Sequence, residues 1–341
     1  MSTTTTARPV QKRIAWAPIV FIGGMHALAL MALLPAYFSW SGLFLCLALH
    51  WLTGGVGICL VYHRLLTHRS FKLHPKWLEY PLTMIGTLAS EGGAIGWVAD
   101  HRRHHAHSDE EQDTHSPLQG LFWAHMGWFM VTDETCRHDD AYYKRWAPDL
   151  FRDPVQRWFD RYFLVFPLGL FALLYVAGQY YGGLGMSWLI WGGFVRTLFV
   201  WHTTWLVNSA SHVWGYRTHA TRDQSTNLWW CAALTYGEGW HNNHHAFQTS
   251  ARHGLDWWEI DPTYMTIKVM QGLGLASDVK LPRIRKNDDG TLVDVDARPA
   301  VPPKTAAIPA TAFVPAPATA STAAPHEILP EVRAEVQETG V

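Results

Sequence analysis

Cysteine is scarce in this 341-residue chain, and its four copies, Cys46, Cys59, Cys136 and Cys231, form no CxxC pair. That excludes a disulfide framework, a cysteine-built zinc site and an iron–sulfur cluster. Cys46 and Cys59 fall in apolar runs, where a small buried thiol is expected. Charge is also sparse: Asp, Glu, Lys and Arg make up 16% of the chain and sum to a formal net charge of −1, so no nucleic-acid surface is expected. Neither an HPGG haem segment nor a Rossmann fingerprint occurs, so the chain carries no haem or dinucleotide module of its own.

What the chain has instead is histidine, with 20 residues, and tryptophan, with 19. Eight of the histidines fall in three tight clusters: His63 and His68 in HRLLTH, His101, His104 and His105 in HRRHH, and His241, His244 and His245 in HNNHH. The HxxHH spacing places three imidazoles on one face of a helix, within reach of a common point. Neutral imidazole is a common metal ligand, and three distant clusters imply one site assembled by the fold. A lone HxxHH would equally suit surface or core histidines; two copies plus HxxxxH do not.

Mean hydropathy is close to zero, but that average mixes apolar runs with a polar tail. After a polar N-terminus (1–13), apolar runs cover about 14–38, 42–62, 162–181 and 186–207, each long enough to cross a hydrocarbon core of roughly 30 Å. The expectation is an all-α integral membrane protein with four transmembrane helices in two hairpins and a helical cap carrying the histidines, within a domain of residues 14–285. The segment 77–89 is apolar but short and contains Pro81, which suits an interfacial element. Lys and Arg are absent from both hairpin turns and present elsewhere, so the positive-inside rule puts both termini and all three histidine clusters on the cytoplasmic side. His26, His50 and His202 are expected to be interior hydrogen-bonders, and Arg196 to snorkel or bond a carbonyl. Residues 286–341, rich in Ala, Pro, Thr and Val, are expected to be disordered.

NSASH at the end of the fourth run adds His212 and, four residues before it, Asn208, an amide suited to holding a metal-bound water. Nine imidazoles suit two metals. With no cysteine in any cluster, iron-based oxygen activation fits better than structural zinc.

HRLLTH, HRRHH and HNNHH in this order, with TWLVNSASH before the last, resemble the integral-membrane fatty acid desaturases, in particular the Δ9 acyl-CoA (stearoyl-CoA) branch and its bacterial acyl-lipid relatives, over roughly residues 14–283. The resemblance implies one iron held by His63, His68, His101, His105 and His244, and a second by His104, His241, His245 and His212, with Asn208 holding a water. It implies O2-dependent insertion of a cis double bond into a fatty acyl chain on CoA or a membrane lipid, with electrons from an external ferredoxin or a b-type cytochrome and reductase. It further implies a kinked apolar tunnel with Trp97, Thr204 and Trp205 at its bend. This chain departs from the family upstream of Trp97, where Glu91 stands in place of an amide-bearing Gln.

Asp100, Asp113, Asp223 and Glu238 lie beside or between the boxes and are candidates to orient the imidazoles. His107, His115, His125, His138, His219 and His253 have no assigned role beyond structure. A hydroxylase or alkane monooxygenase would share the metal architecture, but the HRLLTH spacing and the NSASH element favour desaturation. A membrane metal transporter would place its ligands near the bilayer midplane instead of at span ends. A bacterial cytoplasmic membrane is the expected location.

Overall fold

The computed structural model describes residues 12–132, 138–282, 284–286 and 292–294. The chain is mostly helical. Helix α1 (Trp16–Ala29) gives way to tight turns at Leu30–Leu33 and Pro35–Tyr37, because Pro35 cannot continue the helical ladder. Ser39 then caps α2 (Trp40–His50), its hydroxyl accepting from the Gly42 amide at 2.9 Å. The helix continues without a break as a π-helical stretch, Trp51–Thr67, so the whole element runs from Trp40 to Thr67. The second apolar run therefore extends past its expected end, and His63 lies inside the helix with His68 at its C-cap.

The segment after it stays short. Helix α3 (Glu79–Thr87) packs against this π-helical stretch, and the glycines make this possible: a Cβ on Gly57 would stand 2.9 Å from the Gly86 backbone. Helix α4 (Ala94–His107) carries the second box, and the short helices α5 (Leu121–His125), α6 (Asp140–Trp146), α7 (Pro148–Arg152) and α8 (Pro154–Arg161) follow. Helix α9 (Val165–Tyr180) meets α8 at a 60° bend. After the turn at Gly182 and Gly183, both in the left-handed region, α10 (Gly185–Trp188), a π-helical stretch (Leu189–Val195) and α11 (Arg196–Ser209) complete the fourth apolar run. The remainder is α12 (Trp229–Leu234), α13 (His241–Ala246) and α14 (Pro262–Gly272).

By length and composition two helices could cross a membrane, Trp16–Leu33 and Trp40–Thr67, or up to three if the bent pair α8–α9 is one span. Their outer faces expose large apolar side chains such as Val20, Phe44 and Leu173, as a lipid-facing surface does. Strand pairing is minor; Arg13–Ile14 pair with Val131–Thr132 and Lys72–Leu73 with Ala276–Ser277. Of the stretch expected to be a disordered tail, only Lys286 and Leu292–Asp294 are described, and they pair through Ile284–Lys286; the rest of that expectation lies outside the described residues.

The main core joins the C-terminal part of the Trp51–Thr67 stretch to α4 through Tyr62, Leu65, Ile95 and Val98. Buried Arg64 ties it to the C-terminal segments, bonding Glu238 at 3.1 Å, Asp261 at 2.9 Å and the Ala251 carbonyl at 2.7 Å. Arg196 is fully buried and donates to the carbonyls of Gly192 (3.1 Å) and Leu88 (2.7 Å), one of the two outcomes expected of it. Cys46 and Cys59 are buried, as their apolar surroundings implied.

Candidate metal centre

The three boxes arrive on the π-helical stretch Trp51–Thr67 and its C-cap, on α4 and on α13, and His212 on the turn Ala210–His212 that closes α11. Folding divides the nine imidazoles into two groups. His63, His68, His101, His105 and His244 each turn a ring nitrogen into one space, and His104, His212, His241 and His245 into another; within each group these atoms lie within 4.8 Å of one another.

The carboxylates decide the tautomers. Glu238 lies 2.8 Å from His63 Nδ1, Asp113 3.0 Å from His104 Nδ1, Asp109 3.3 Å from His212 Nδ1 and Asp223 2.8 Å from His245 Nδ1. A carboxylate can only accept, so these four Nδ1 atoms carry the hydrogen and Nε2 is left with its lone pair. Those lone pairs converge. His63 Nε2 is 3.1 Å from both His244 Nε2 and His68 Nε2, and His105 Nε2 is 2.9 Å from His244 Nε2 and 3.0 Å from His101 Nε2. In the second group His212 Nε2 and His241 Nε2 stand 3.0 Å apart, while Nε2 of His104 and of His245 is buried with no hydrogen-bond partner. Neutral rings cannot satisfy so many facing lone pairs through shared hydrogens, whereas a cation in each group would. The donor set, five nitrogens and four nitrogens with no sulfur, suits iron.

Burial pushes His101, His105, His241 and His244 far below the ordinary imidazole range, which keeps them neutral and able to ligate. Burial works to raise Asp113, Asp223 and Glu238, but the neighbouring cations and histidines outweigh it and hold all three well below the usual carboxylate range.

Of the acids expected beside the boxes, Asp113, Asp223 and Glu238 contact rings of the two groups. Asp100 does not: it accepts from Tyr142 Oη at 2.7 Å and lies 3.0 Å from His138. Asp109 was missed, and its signal was present in the acid-rich turn directly after HRRHH. His115 and His253, left without a role, prove fully enclosed beside the groups, their rings 4.3 Å from His104 and His244 respectively, and burial drives both imidazoles down to about 4.

An apolar cavity touches both groups, since His63 and His101 of the first and His241 of the second line it. Trp97, Thr204, Trp205 and Asn208 line it as well. The Trp97 ring stacks on His101 at 5.0 Å, and its Nε1 donates to Glu91 Oε2 at 3.0 Å. Glu91 also bonds Thr204, and burial raises its carboxyl to about 7. Glu91 thus sits in the cavity wall, joining two of the residues expected at the bend.

The family model for fatty acid desaturases matches residues 38–270. The chain belongs to the fatty acid desaturase family. Among its relatives are the sn-1 stearoyl-lipid 9-desaturase of Anabaena variabilis, 49% identical over 81% of this chain and 98% of the relative, and the sn-2 palmitoyl-lipid 9-desaturase of Nostoc sp. (strain 36), 49% identical over 78% and 90%. The acyl-CoA C20 Delta5-desaturase of Anemone leveillei is 44% identical over 77% and 81%. The desaturase is therefore an oxidoreductase of lipid metabolism, its histidine clusters are suited to metal, and its apolar helices are those of a membrane protein.

Proposed function

We propose that this desaturase introduces a cis double bond at the Δ9 position of a saturated acyl chain carried on a glycerolipid, using O2 and two irons. The observation that carries the reading is the apolar cavity that meets both imidazole groups. The names of the Anabaena and Nostoc relatives support the regiochemistry and the lipid carrier. A CoA-linked chain is the second reading, supported by the Anemone relative's name.

His63, His68, His101, His105 and His244 would hold one iron, and His104, His212, His241 and His245 the other, with Asn208 placed to hold a water. When bound, the pair supplies the oxidising power needed to remove hydrogen from two adjacent unactivated methylenes, with O2 reduced to two waters by two external electrons and two protons. The protein does the rest. Asp113, Asp109, Asp223 and Glu238 hold hydrogens on the Nδ1 atoms and aim Nε2 inward. Trp97, Thr204 and Trp205 set the path of the chain, and the apolar walls keep water from the reacting carbons. A ferredoxin or a b-type cytochrome with its reductase supplies the electrons.

The four apolar runs form two hairpins within a membrane domain of residues 14–285, with both termini and the cap on the cytoplasmic side of a bacterial membrane. Expression in a host lacking desaturases, followed by gas chromatography–mass spectrometry of the lipids, tests the function. New cis-Δ9 monoenes that vanish with His244→Ala are expected; hydroxylated chains in their place would reassign the chain to the oxygenases.

A further inference from the structure

Three histidines outside the two imidazole groups form a row across the helices. His26 Nε2 of α1 lies 3.0 Å from His202 Nε2 of α11, His202 Nδ1 lies 3.0 Å from His125 Nε2 of α5, and His125 Nδ1 lies 3.0 Å from Ser209 Oγ. The proton pattern follows from one end. His26 Nδ1 stands 2.8 Å from the Ile22 carbonyl, which only accepts, so that nitrogen carries the hydrogen. Its Nε2 must then accept from His202 Nε2–H, His202 Nδ1 from His125 Nε2–H, and His125 Nδ1 from the Ser209 hydroxyl, which has the Trp205 carbonyl 2.8 Å away as its other choice. One all-neutral assignment satisfies every link.

The row fastens a piece of cavity wall. Helix α5 leads directly into the turn Gly127–Met130, whose Trp128 and Phe129 line the cavity. Phe129 packs 5.2 Å from Trp205, and His125 meets Trp205 edge-on at 5.8 Å. The far side of the same turn is tied to the N-terminal segment, where the Ala15 amide donates to the Met130 carbonyl at 2.8 Å. Polar rings among membrane helices are costly unless bonded, and bare packing between α1 and α11 would be met by leucine.

We infer that His26, His202 and His125 are positioning residues that set the cavity wall of Trp128, Phe129 and Trp205, and through it the affinity for the acyl chain. The inference rests on the reading above that this cavity takes that chain. Because the row is neutral and directional, its outermost member needs only an acceptor at the position of Nε2. His26→Gln supplies one and His26→Leu does not.

The test is steady-state desaturation by the full chain in lipid nanodiscs, with a ferredoxin system as donor and a distearoyl glycerolipid as substrate. His26→Leu is expected to raise KM about fivefold, the scale of one neutral hydrogen bond, with kcat, iron content and double-bond position kept. His26→Gln is expected to restore KM, and His202→Leu, which removes the central ring, to reproduce the defect should His26→Leu fail to accumulate. An unchanged KM in both leucine variants, or a loss of kcat and KM that follows thermal stability and is not rescued by glutamine, would overturn the inference. A wild-type chain that makes no monoene would instead refute the desaturation reading before any variant is compared.

Discussion

Glu91→Gln isolates the electrostatic cost of an acid in the cavity wall. Burial raises the Glu91 carboxyl from 4.5 to about 7, against which the hydrogen bonds from Thr204 and Trp97 only partly work. The unfolded chain ionises near 4.5, so between there and about pH 7 it releases a proton that the folded chain keeps. Native stability contributed by this group is therefore greatest below about 4.5, falls as pH rises, and levels off above about 7. The shift corresponds to roughly 3 kcal/mol, at about 1.4 kcal/mol per unit. Glutamine keeps an acceptor for Trp97 Nε1 and does not titrate. Thermal unfolding of both proteins in detergent from pH 4.5 to 8.5 should show the variant gaining on wild type by about that amount as pH rises, while titrations common to both cancel. A difference that stays flat across the range, or one that favours wild type at high pH, would show that burial does not raise the Glu91 carboxyl.

Asp113→Ala should weaken iron binding by about 10–100-fold, read by competition with a chelator, because His104 loses the acceptor that fixes its tautomer. Arg64→Met should destabilise the fold by roughly 3–5 kcal/mol in denaturant titrations, since Glu238 and Asp261 are then left buried without their cation. Removing iron by chelation should lower the melting temperature, with recovery on adding Fe2+, because the facing Nε2 lone pairs lose what offsets them.

The histidine boxes were legible because HxxHH has only one geometric reading on a helix, and that face is where the fold assembles the site. The apolar runs were legible as helices but not in their ends. Pro35 stops the first early, and the second carries on through His63 because Tyr62, Leu65 and Leu66 pack into the cap core. The interior roles expected of His26, His50 and His202 hold, as each is hydrogen-bonded within the bundle. Sequence spacing could not show that Glu238 touches both His63 and His253, nor that His125 reaches His202, since those partners are separated by 175, 15 and 77 positions and meet only through tertiary packing. Asp100 misled for the same reason. Its place beside His101 in sequence says nothing of direction, and on α4 it points to Tyr142.

The nine imidazoles, divided into two groups, should hold two metals. Elemental analysis of the purified full chain tests it directly, read as iron per chain for wild type, His244→Ala and His241→Ala. Two irons in wild type, falling to about one in each variant, are predicted. A single iron in wild type, or two retained in both variants, would contradict the division of the histidines into two groups.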